Sequence, residues 1–336
     1  SASLVGSEMC IRDRPYVPGM VEMMKEKGFA HMSEGALVVD VKEDTDTKEI
    51  PPCIILKSDG ASLYSTTDLA TLVMRMKENN PDRVIYLADA RQSMHFIQVF
   101  RCARKTGIVP DTTELVHIGF GTMNGKDGKP FKTRDGGVMR LEYLLKEIDD
   151  EMLNKIKENQ KEKENLNIDE AEAEQTAKTV ALAAVKYGDL SNQASKDYIF
   201  DIDRFTSFEG NTGPYILYTI VRIKSILSKY EAKGGNISAL KDAIMPAVNA
   251  GQKNLMLSLA KFNATIESAY EESAPHKICA YIYELANAFN GFYHDTKILS
   301  EENEELKKSY ISLLVLTKEI LEACIDMLGF SAPDRM

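Results

Sequence analysis

The hydrophobic pattern changes near residue 145, and this change restricts the possible folds more than any other feature of the chain. From Pro15 to Leu145, short apolar runs alternate with stretches in which apolar residues recur every three or four positions. From Thr179 onward, the three-to-four spacing continues and strand-like runs almost vanish. Alternating strands and helices are typical of a parallel sheet covered by helices, whereas continuous helical spacing is typical of a bundle. The pattern therefore predicts an α/β part followed by an all-α part.

Strands and helices can be assigned within the α/β part. The predicted strands are residues 36–41, 53–56, 84–89 and 115–123, and the predicted helices are residues 21–29, 66–80 and 96–107. The run VIYLAD at 84–89 is apolar up to its final acid, which is typical of a strand buried in a parallel sheet. The second helix is expected to begin near Thr66 or Thr67, which would place Asp68 in its first turn.

The same pattern divides the chain into four segments. They are residues 1–14, the α/β part 15–145, a charged stretch 146–178 and the helical part 179–336. The first segment, SASLVGSEMCIRDR, fits nothing downstream and looks like translated sequencing adapter, so we expect it to be non-native on a chain truncated at its N-terminus. The third segment is dense in charge and has neither proline nor glycine. This composition predicts a solvated helix or helical linker.

Composition excludes several classes of protein. The chain has 41 lysines and arginines against 51 aspartates and glutamates, so its net charge of −10 excludes a surface that is basic throughout. No apolar run approaches the ~18 residues that a membrane span needs. The five cysteines are odd in number and never in CxxC spacing, which argues against a zinc site or a disulfide framework and indicates a reducing compartment such as the cytoplasm.

Two groups of polar residues in the α/β part could form a binding site. Tyr64 and Asp68 are four positions apart, and a carboxylate beside a phenol could receive the donors of a guanidinium group. Directly after the predicted strand 84–89, the segment ADARQSMHF brings Gln92 and His95 to the strand end, where open α/β sheets bind ligands. The alternatives are an ordinary acid at a helix start and an ordinary strand-to-helix connection.

A basic, glycine-rich loop follows the last predicted strand. Residues 126–140 contain five basic side chains and only two acidic ones, Asp127 and Asp135, and the basic ones are Lys126, Lys129, Lys132, Arg134 and Arg140. Such a loop could neutralise the charge of a polyphosphate. It lacks the GxxxxGK[ST] pattern of a P-loop. The alternative is a solvated hairpin that turns at Asp127-Gly128.

One helical face of the all-α part combines aromatic rings with a cation. Tyr215, Tyr218 and Arg222 are spaced three and four apart, so they share a face of the predicted helix. Tyrosine rings beside an arginine can stack on unpaired bases. The alternative is a stripe of core residues with a basic rim.

Taken together, these segments resemble arginyl-tRNA synthetases. The matching strings occur in family order over nearly all of residues 16–336, and they are SEGALVVDV, LKSDGASLYSTTDLA, VIYLADARQSMHF, HIGFGTMNGKDGKPFKTRDGG, DIDRFTSFEGNTGPYILY, SAPHKICAYIYELANAFNGFYHDT and LGFSAPDRM. The family belongs to the class I synthetases. The resemblance therefore implies a partial Rossmann-like parallel sheet followed by a helical-bundle domain that binds the anticodon.

The resemblance also implies roles for particular residues of the α/β part. Arginine side-chain contacts are expected from Tyr64, Asp68 and Gln92. Adenine contacts of ATP are expected from His117, Ile118 and Gly119. Other class I enzymes carry the motif KMSKS in their catalytic loop, and its counterparts here are expected to be Lys129, Lys132 and Arg134. It reads PFKTR here, so the usual second lysine is missing, and the residue that touches pyrophosphate stays open.

In the helical part, the resemblance implies contacts with tRNA. The expected anticodon contacts are Tyr215, Tyr218, Arg222 and the final residue Met336. The implied partners are arginine tRNA, arginine and ATP, whose Mg²⁺ would come as a counter-ion without a protein metal site. We expect a monomer that does not associate with membranes.

The family's HIGH signature does not occur in this chain, because HIGF at residue 117 is a different element. The family reaction joins arginine to AMP and then transfers it to the tRNA terminus, by positioning and electrostatic stabilisation. We expect the chain not to perform this reaction alone. The alternatives are a non-catalytic tRNA-binding module and a helical interaction protein without an RNA role.

Overall fold

The computed structural model of the chain describes residues 14–129, 141–162, 169–240 and 243–336. The chain folds into two compact units, with the division between Gly121 and Thr122. This division lies earlier than the predicted boundary at residue 145, because the basic loop's first residues belong with the helical unit. Residues 1–13, most of the segment expected to be non-native, lie outside the described residues, and the first described turn begins at Arg14.

The first unit contains five strands and three helices among its described residues. In chain order these are α1 (Val17–Glu26), β1 (His31–Ser33), β2 (Ala36–Val39), β3 (Cys53–Leu56), α2 (Tyr64–Glu78), β4 (Arg83–Asp89), α3 (Ser93–Lys105) and β5 (Glu114–Phe120). A 3-10 turn, Ala90–Gln92, connects β4 to α3. All the predicted strands and helices of this part are therefore present, with shifts of a few residues at their ends.

The strands of this unit form two sheets of different kinds. β4 and β5 pair in parallel, with Val84 opposite Leu115 and Asp89 opposite Phe120. β1, β2 and β3 form a three-stranded antiparallel sheet. The parallel arrangement inferred from alternating strands and helices is thus correct for β4 and β5 and wrong for the strands before them.

The parallel strand β4 is buried on one face only. Val84 and Tyr86 point into the core of the unit, while Leu87 is 71% exposed and Ile85 is 44% exposed. The wholly apolar run therefore does not mark a fully buried strand. Alternate residues of a strand point to opposite faces, and only one face of this pair is covered by the described helices.

Helix α2 begins earlier than its hydrophobic pattern predicts. Leu63 is its N-cap residue, and its backbone N–H donates to Oγ1 of Thr66 at 3.0 Å. The Oγ1 of Thr66 donates in turn to the carbonyl of Ile55 in β3, which ties the helix start to the sheet. Asp68 is therefore one turn inside the helix, beyond the first turn where the helix dipole acts most strongly.

The second unit is helical apart from one short strand pair. Its elements are β6 (Met123–Asn124), α4 (Leu141–Glu162), α5 (Glu170–Leu190), β7 (Tyr198–Ile199), α6 (Ile202–Phe205), α7 (Gly213–Ala232), α8 (Ala250–Ala260), α9 (Phe262–Glu271), α10 (Pro275–Asp295) and α11 (Glu304–Met327). β6 and β7 pair in parallel. No helix within the described ranges is long and apolar enough to cross a membrane.

The charged stretch 146–178 contributes to the core of this unit. Helices α4 and α5 pack against each other, and Ile148 and Met152 on α4 are fully buried in the same cluster as Ala177 on α5. The prediction of a solvated helix is therefore wrong for the inner faces of these helices. Their charged residues cover the outer faces, as an amphipathic helix requires.

Candidate functional site

The carboxyl ends of β4 and β5 lie side by side in the first unit and present polar groups. Asp89 ends β4, and its Oδ1 accepts hydrogen bonds from the backbone N–H of Arg91 at 2.8 Å and from Nε of Arg91 at 2.9 Å. These bonds lower the pKa of Asp89 to about 2, so the carboxyl stays ionised. Asp89 thus serves to shape the turn between β4 and α3.

Asp68 on α2 meets His95 on α3 close to that turn. The Oδ2 of Asp68 lies 2.6 Å from Nε2 of His95, and the two side chains are 19% and 27% exposed. Oδ1 of Asp68 contacts no donor within the described part of the chain. A shielded carboxylate with one open oxygen can accept a cationic group from a ligand.

The other two predicted arginine contacts belong to the same two helices as Asp68 and His95. Tyr64 is the first residue of α2, one turn before Asp68, and is 82% exposed. Gln92 is the N-cap residue of α3, one turn before His95, and is exposed. The three predicted residues thus lie at, or about one turn from, the N-terminal ends of two helices that pack against each other. Sequence reasoning did not pair His95 with Asp68.

The predicted adenine contacts lie on β5. His117 stacks on Phe96 at 4.4 Å between ring centroids, and its Nε2 is buried without a hydrogen-bond partner. Ile118 pairs with Leu87 in register. A side chain on Gly119 would come within 2.9 Å of the backbone of Ala90, so only glycine lets β5 approach the β4–α3 turn this closely.

The basic loop is only partly described. Lys129 is exposed, and its N–H donates to Asp127 at 3.1 Å within a turn closed by Gly125. The predicted loop residues Lys132 and Arg134 lie outside the described residues. Lys126 pairs with Asp201 at 3.0 Å and Asp203 at 2.9 Å, which raises its pKa and anchors the loop's first turn within the second unit.

The aromatic face of α7 is divided between packing and an open groove. Tyr215 packs against the core and donates from Oη to Asn287 on α10 at 2.6 Å. The guanidinium of Arg222 lies 4.7 Å from the ring centre of Tyr218 and 5.4 Å from that of Tyr293 on α10. Tyr293, which sequence reasoning missed, therefore completes a layer of ring, cation and ring.

This layer lines a groove of about 1160 Å³. Its lining includes Tyr218, Arg222, Tyr293, Lys318 and Met336. The predicted anticodon contacts Tyr218, Arg222 and Met336 are therefore brought together, and Tyr215 supports them from the side. The groove combines aromatic rings with cations, a combination that suits an unpaired, negatively charged polynucleotide.

The C-terminal segment is held in place beside the groove. Nε and Nη2 of Arg335 donate to the two carboxylate oxygens of Glu172 on α5 at 2.5 and 2.6 Å. Asp334 pairs with Lys224 on α7 at 3.3 Å. The two ion pairs hold the segment against α5 and α7, and Met336 lines the groove.

Potential metal ligands do not gather in the described ranges. No group of three or more histidine, cysteine, aspartate or glutamate side chains lies close enough there to hold a metal ion. Four of the five cysteines are described, and all four are buried free thiols.

Two family models match the chain in succession. The model of the catalytic domain of "tRNA synthetases class I (R)" matches residues 7–202, and that of the "DALR anticodon binding domain" matches residues 216–336. The first alone covers more than half of the chain.

Similar proteins agree with these matches. The chain is 99% identical over 323 residues to an arginine–tRNA ligase of Agathobacter rectalis, and 53% identical over 321 residues to one of Alkaliphilus oremlandii. These matches cover 96% of this chain but 54% and 53% of the relatives. The chain thus spans about half the length of the curated relatives it matches.

Solved structures show the same fold. The arginyl-tRNA synthetase of Plasmodium falciparum superposes with a TM-score of 0.79 at 26% identity, covering 96% of this chain and 52% of that one. The Thermus thermophilus enzyme gives the same TM-score at 22% identity, with 96% and 58% covered, and supports the fold alone. The partial Rossmann-like domain followed by a helical anticodon-binding domain is confirmed, and the chain belongs to the arginyl-tRNA synthetases of class I.

Proposed function

We propose that the chain carries the arginine pocket, part of the ATP site and the anticodon-binding surface of an arginine–tRNA ligase. The reaction is ATP-dependent activation of arginine followed by transfer to the 3′ end of its tRNA. The observation that carries the proposal is the shielded carboxylate of Asp68 on α2, held by His95 on α3, in a chain of this family. A reducing cytoplasm, a monomeric state and the absence of a protein metal site belong to the same proposal.

In the arginine pocket, Asp68 provides the charge. Its open Oδ1 accepts an N–H of the substrate guanidinium, and His95 holds Oδ2 so that the carboxylate keeps one orientation. Tyr64 and Gln92 extend from the two helix starts, where their hydroxyl and amide groups reach the remaining donors. A charge-assisted hydrogen bond of this kind is roughly twice as strong as one between neutral groups.

For ATP, the proposal assigns roles to residues of β5 and, separately, to residues of the basic loop. His117, Ile118 and Gly119 contact the adenine, and the buried, unpartnered Nε2 of His117 supports a polar contact in that region. Lys129, Lys132 and Arg134 neutralise the phosphate charge that develops as pyrophosphate leaves. Mg²⁺ accompanies ATP as its counter-ion.

In the helical unit, the groove receives the anticodon loop. Tyr218 and Tyr293 offer ring faces, and Arg222 offers a cation between them. Met336 adds an apolar wall. The acidic body of the protein repels RNA elsewhere, so binding is confined to this local surface.

A second candidate function is a non-catalytic tRNA-binding module. It is favoured by one observation, namely that the groove lies wholly within the second unit, which has its own continuous core. A module that only binds RNA has no need of a carboxylate shielded beside His95 in the first unit, and we therefore prefer the ligase.

We expect Tyr218→Ala to weaken tRNA binding by roughly 5- to 150-fold, because stacking on an aromatic is worth ~1–3 kcal/mol per base. The measurement is a fluorescence titration of the full chain with arginine tRNA and with a version whose anticodon loop is scrambled. Tyr270→Ala on α9 is the matched control, because it removes a 71% exposed tyrosine outside the groove lining. Shortening the chain by Met336 should have a smaller effect in the same direction.

The proposal also predicts a shallow salt dependence, because few phosphates can be neutralised by so acidic a protein. Equal affinity for both RNAs, with no effect of Tyr218→Ala, would show that the ring is part of the core packing. The anticodon-binding role of the second unit would then be wrong.

A further inference from the structure

The guanidinium of Arg222 has a single hydrogen-bond acceptor in the described part of the chain. Its Nη1 donates to Oδ1 of Asn290 on α10 at 2.7 Å. No carboxylate within the described ranges pairs with it. A guanidinium carries five N–H donors, so four have no acceptor within the described part of the chain.

Asn290 is itself held in one orientation by the opposite end of its amide. Its Nδ2 donates to Oη of Tyr215 at 2.9 Å and lies 3.5 Å from Oγ1 of Thr219. The hydroxyl of Tyr215 in turn donates a hydrogen bond to Oδ1 of Asn287. A flipped amide would turn its N–H toward the guanidinium and its oxygen toward Oη of Tyr215, whose hydrogen is donated to Asn287, so the direction of the donors fixes Oδ1 toward Arg222.

A neutral acceptor at this place has a different effect from an acidic one. A carboxylate would orient the guanidinium equally well, but it would also compensate its positive charge. The amide orients Arg222 between the rings of Tyr218 and Tyr293 and leaves the charge available. Of the carboxylates that line this groove, Asp334 is engaged by Lys224, and neither Glu231 nor Glu319 pairs with Arg222.

We propose that Asn290 is a positioning residue, which orients Arg222 for an unpaired, negatively charged nucleic-acid strand without neutralising it. The inference rests on the proposed anticodon-binding function, and it identifies the residue that orients Arg222, the cation between the two tyrosine rings of the groove. Asn290 does not need to touch the RNA. It acts through the hydrogen bond to Arg222 and through the Tyr215 network that holds its own amide.

The test is Asn290→Asp in the full chain, titrated with an anticodon stem-loop of arginine tRNA at several salt concentrations. We expect affinity to fall on the order of tenfold. We also expect the slope of log K against log salt to become shallower by ~0.7, which corresponds to one phosphate contact on a single strand. A purely structural role of Asn290 would not change this slope.

Asn287→Asp is the matched control, since it makes the same change of charge three residues earlier on the same helix. Asn287 contacts Tyr215 and not Arg222, and a carboxylate there can still accept from Oη. Asn290→Ala removes the orientation without adding charge, so it should weaken binding a few-fold with the slope unchanged. Equal losses for Asn290→Asp and Asn287→Asp would overturn the proposal.

A second measurement tests the orientation without RNA. Nitrogen-15 NMR of the Arg222 side chain, assigned with Arg222→Lys, should show hindered rotation of the guanidinium in the unmodified chain and faster rotation in Asn290→Ala. Identical Arg222 signals in both proteins would contradict the positioning role. If the unmodified chain shows no loop-dependent RNA binding, the proposed function fails, while the NMR comparison still decides the role of Asn290.

Discussion

Replacement of Asp68 by alanine is expected to raise the KM for arginine by about 100-fold or more, with a much smaller change in the KM for ATP. The carboxylate is 19% exposed, and the substrate guanidinium would lose the anionic partner that the proposal gives it. Removing one member of a buried ion pair costs roughly 3–5 kcal/mol, and each 1.4 kcal/mol is a factor of ten. The measurement is arginine-dependent ATP–pyrophosphate exchange with tRNA present.

The enzyme for this test is the Agathobacter rectalis ligase. It matches the chain at 99% identity, and the match covers 54% of its own length. Glu78→Ala is the matched control, because it removes an exposed carboxylate from the other end of the same helix. Asp68→Asn separates charge from shape, since the amide keeps the size of the carboxylate. An arginine KM that stays unchanged in Asp68→Ala would exclude the residue from the pocket.

Replacement of His95 tests whether the orientation of the Asp68 carboxylate matters for arginine binding. Nε2 of His95 lies 2.6 Å from Oδ2 of Asp68, so Oδ1 is the oxygen that contacts no donor among the described residues. His95→Ala leaves the charge in place but frees the carboxylate to rotate. We therefore expect a smaller rise in arginine KM than for Asp68→Ala, measured in the same exchange assay. An equal or larger rise would mean that His95 itself provides the main contact.

The elements of the first unit could be predicted, but not all of their pairing. The strand β1 could not be predicted, because HMS at 31–33 is short and has no alternation of apolar and polar residues. It joins β2 through Glu34 and Gly35, both with positive φ, which makes a tight hairpin. That two-residue turn makes β1 and β2 antiparallel. The signal was present in the pair EG, but alternating helices and strands favoured the parallel interpretation.

The solvated helix predicted for the charged stretch was wrong for its inner face, because the high charge content masks the regular spacing of its apolar residues. On α4, Leu144, Ile148, Met152 and Ile156 recur every four residues and are all buried. Four residues per repeat follow one face of a helix, so the core face was visible in the sequence. The surrounding lysines and glutamates, which cover the outer face, hid it.

The site divides in the same way between local and tertiary information. Tyr218 and Arg222 share a helix, so their spacing alone predicts that they meet. Tyr293 and Asn290 come from α10, about seventy positions later, and join them only when α7 and α10 pack. His95 reaches Asp68 across 27 positions for the same reason. No local pattern could predict these partners, because helix packing determines them.

The close packing of α7 against α5 depends on Gly213, the first residue of α7. A Cβ atom at this position would overlap the carbonyl oxygen of Ala183 on α5 and lie 3.0 Å from the backbone nitrogen of Ala184. Backbone atoms of a helix cannot move aside as a flexible side chain can. We therefore expect Gly213→Ala to destabilise the second unit by about 3 kcal/mol or more, at the upper end of overpacking effects.

Gly291 on α10 provides a matched substitution with the opposite expected sign. A Cβ atom there meets nothing within 4 Å, and the residue is exposed inside the helix. Gly291→Ala should therefore stabilise the unit by roughly 0.5–1 kcal/mol, the usual gain when alanine replaces glycine within a helix. Both variants make the same chemical change, so any difference between them comes from the surroundings of the added methyl group.

Hydrogen–deuterium exchange of peptides from α5, α7 and α10 in the full chain measures both effects. The opening free energy should fall in α5 and α7 of Gly213→Ala, and it should rise in α10 of Gly291→Ala. Because α7 also carries Tyr218 and Arg222, the loosened helix should bind arginine tRNA more weakly, although Gly213 does not line the groove. Unchanged protection in Gly213→Ala would mean that α5 and α7 can separate without loss, and the groove would then not depend on their close approach.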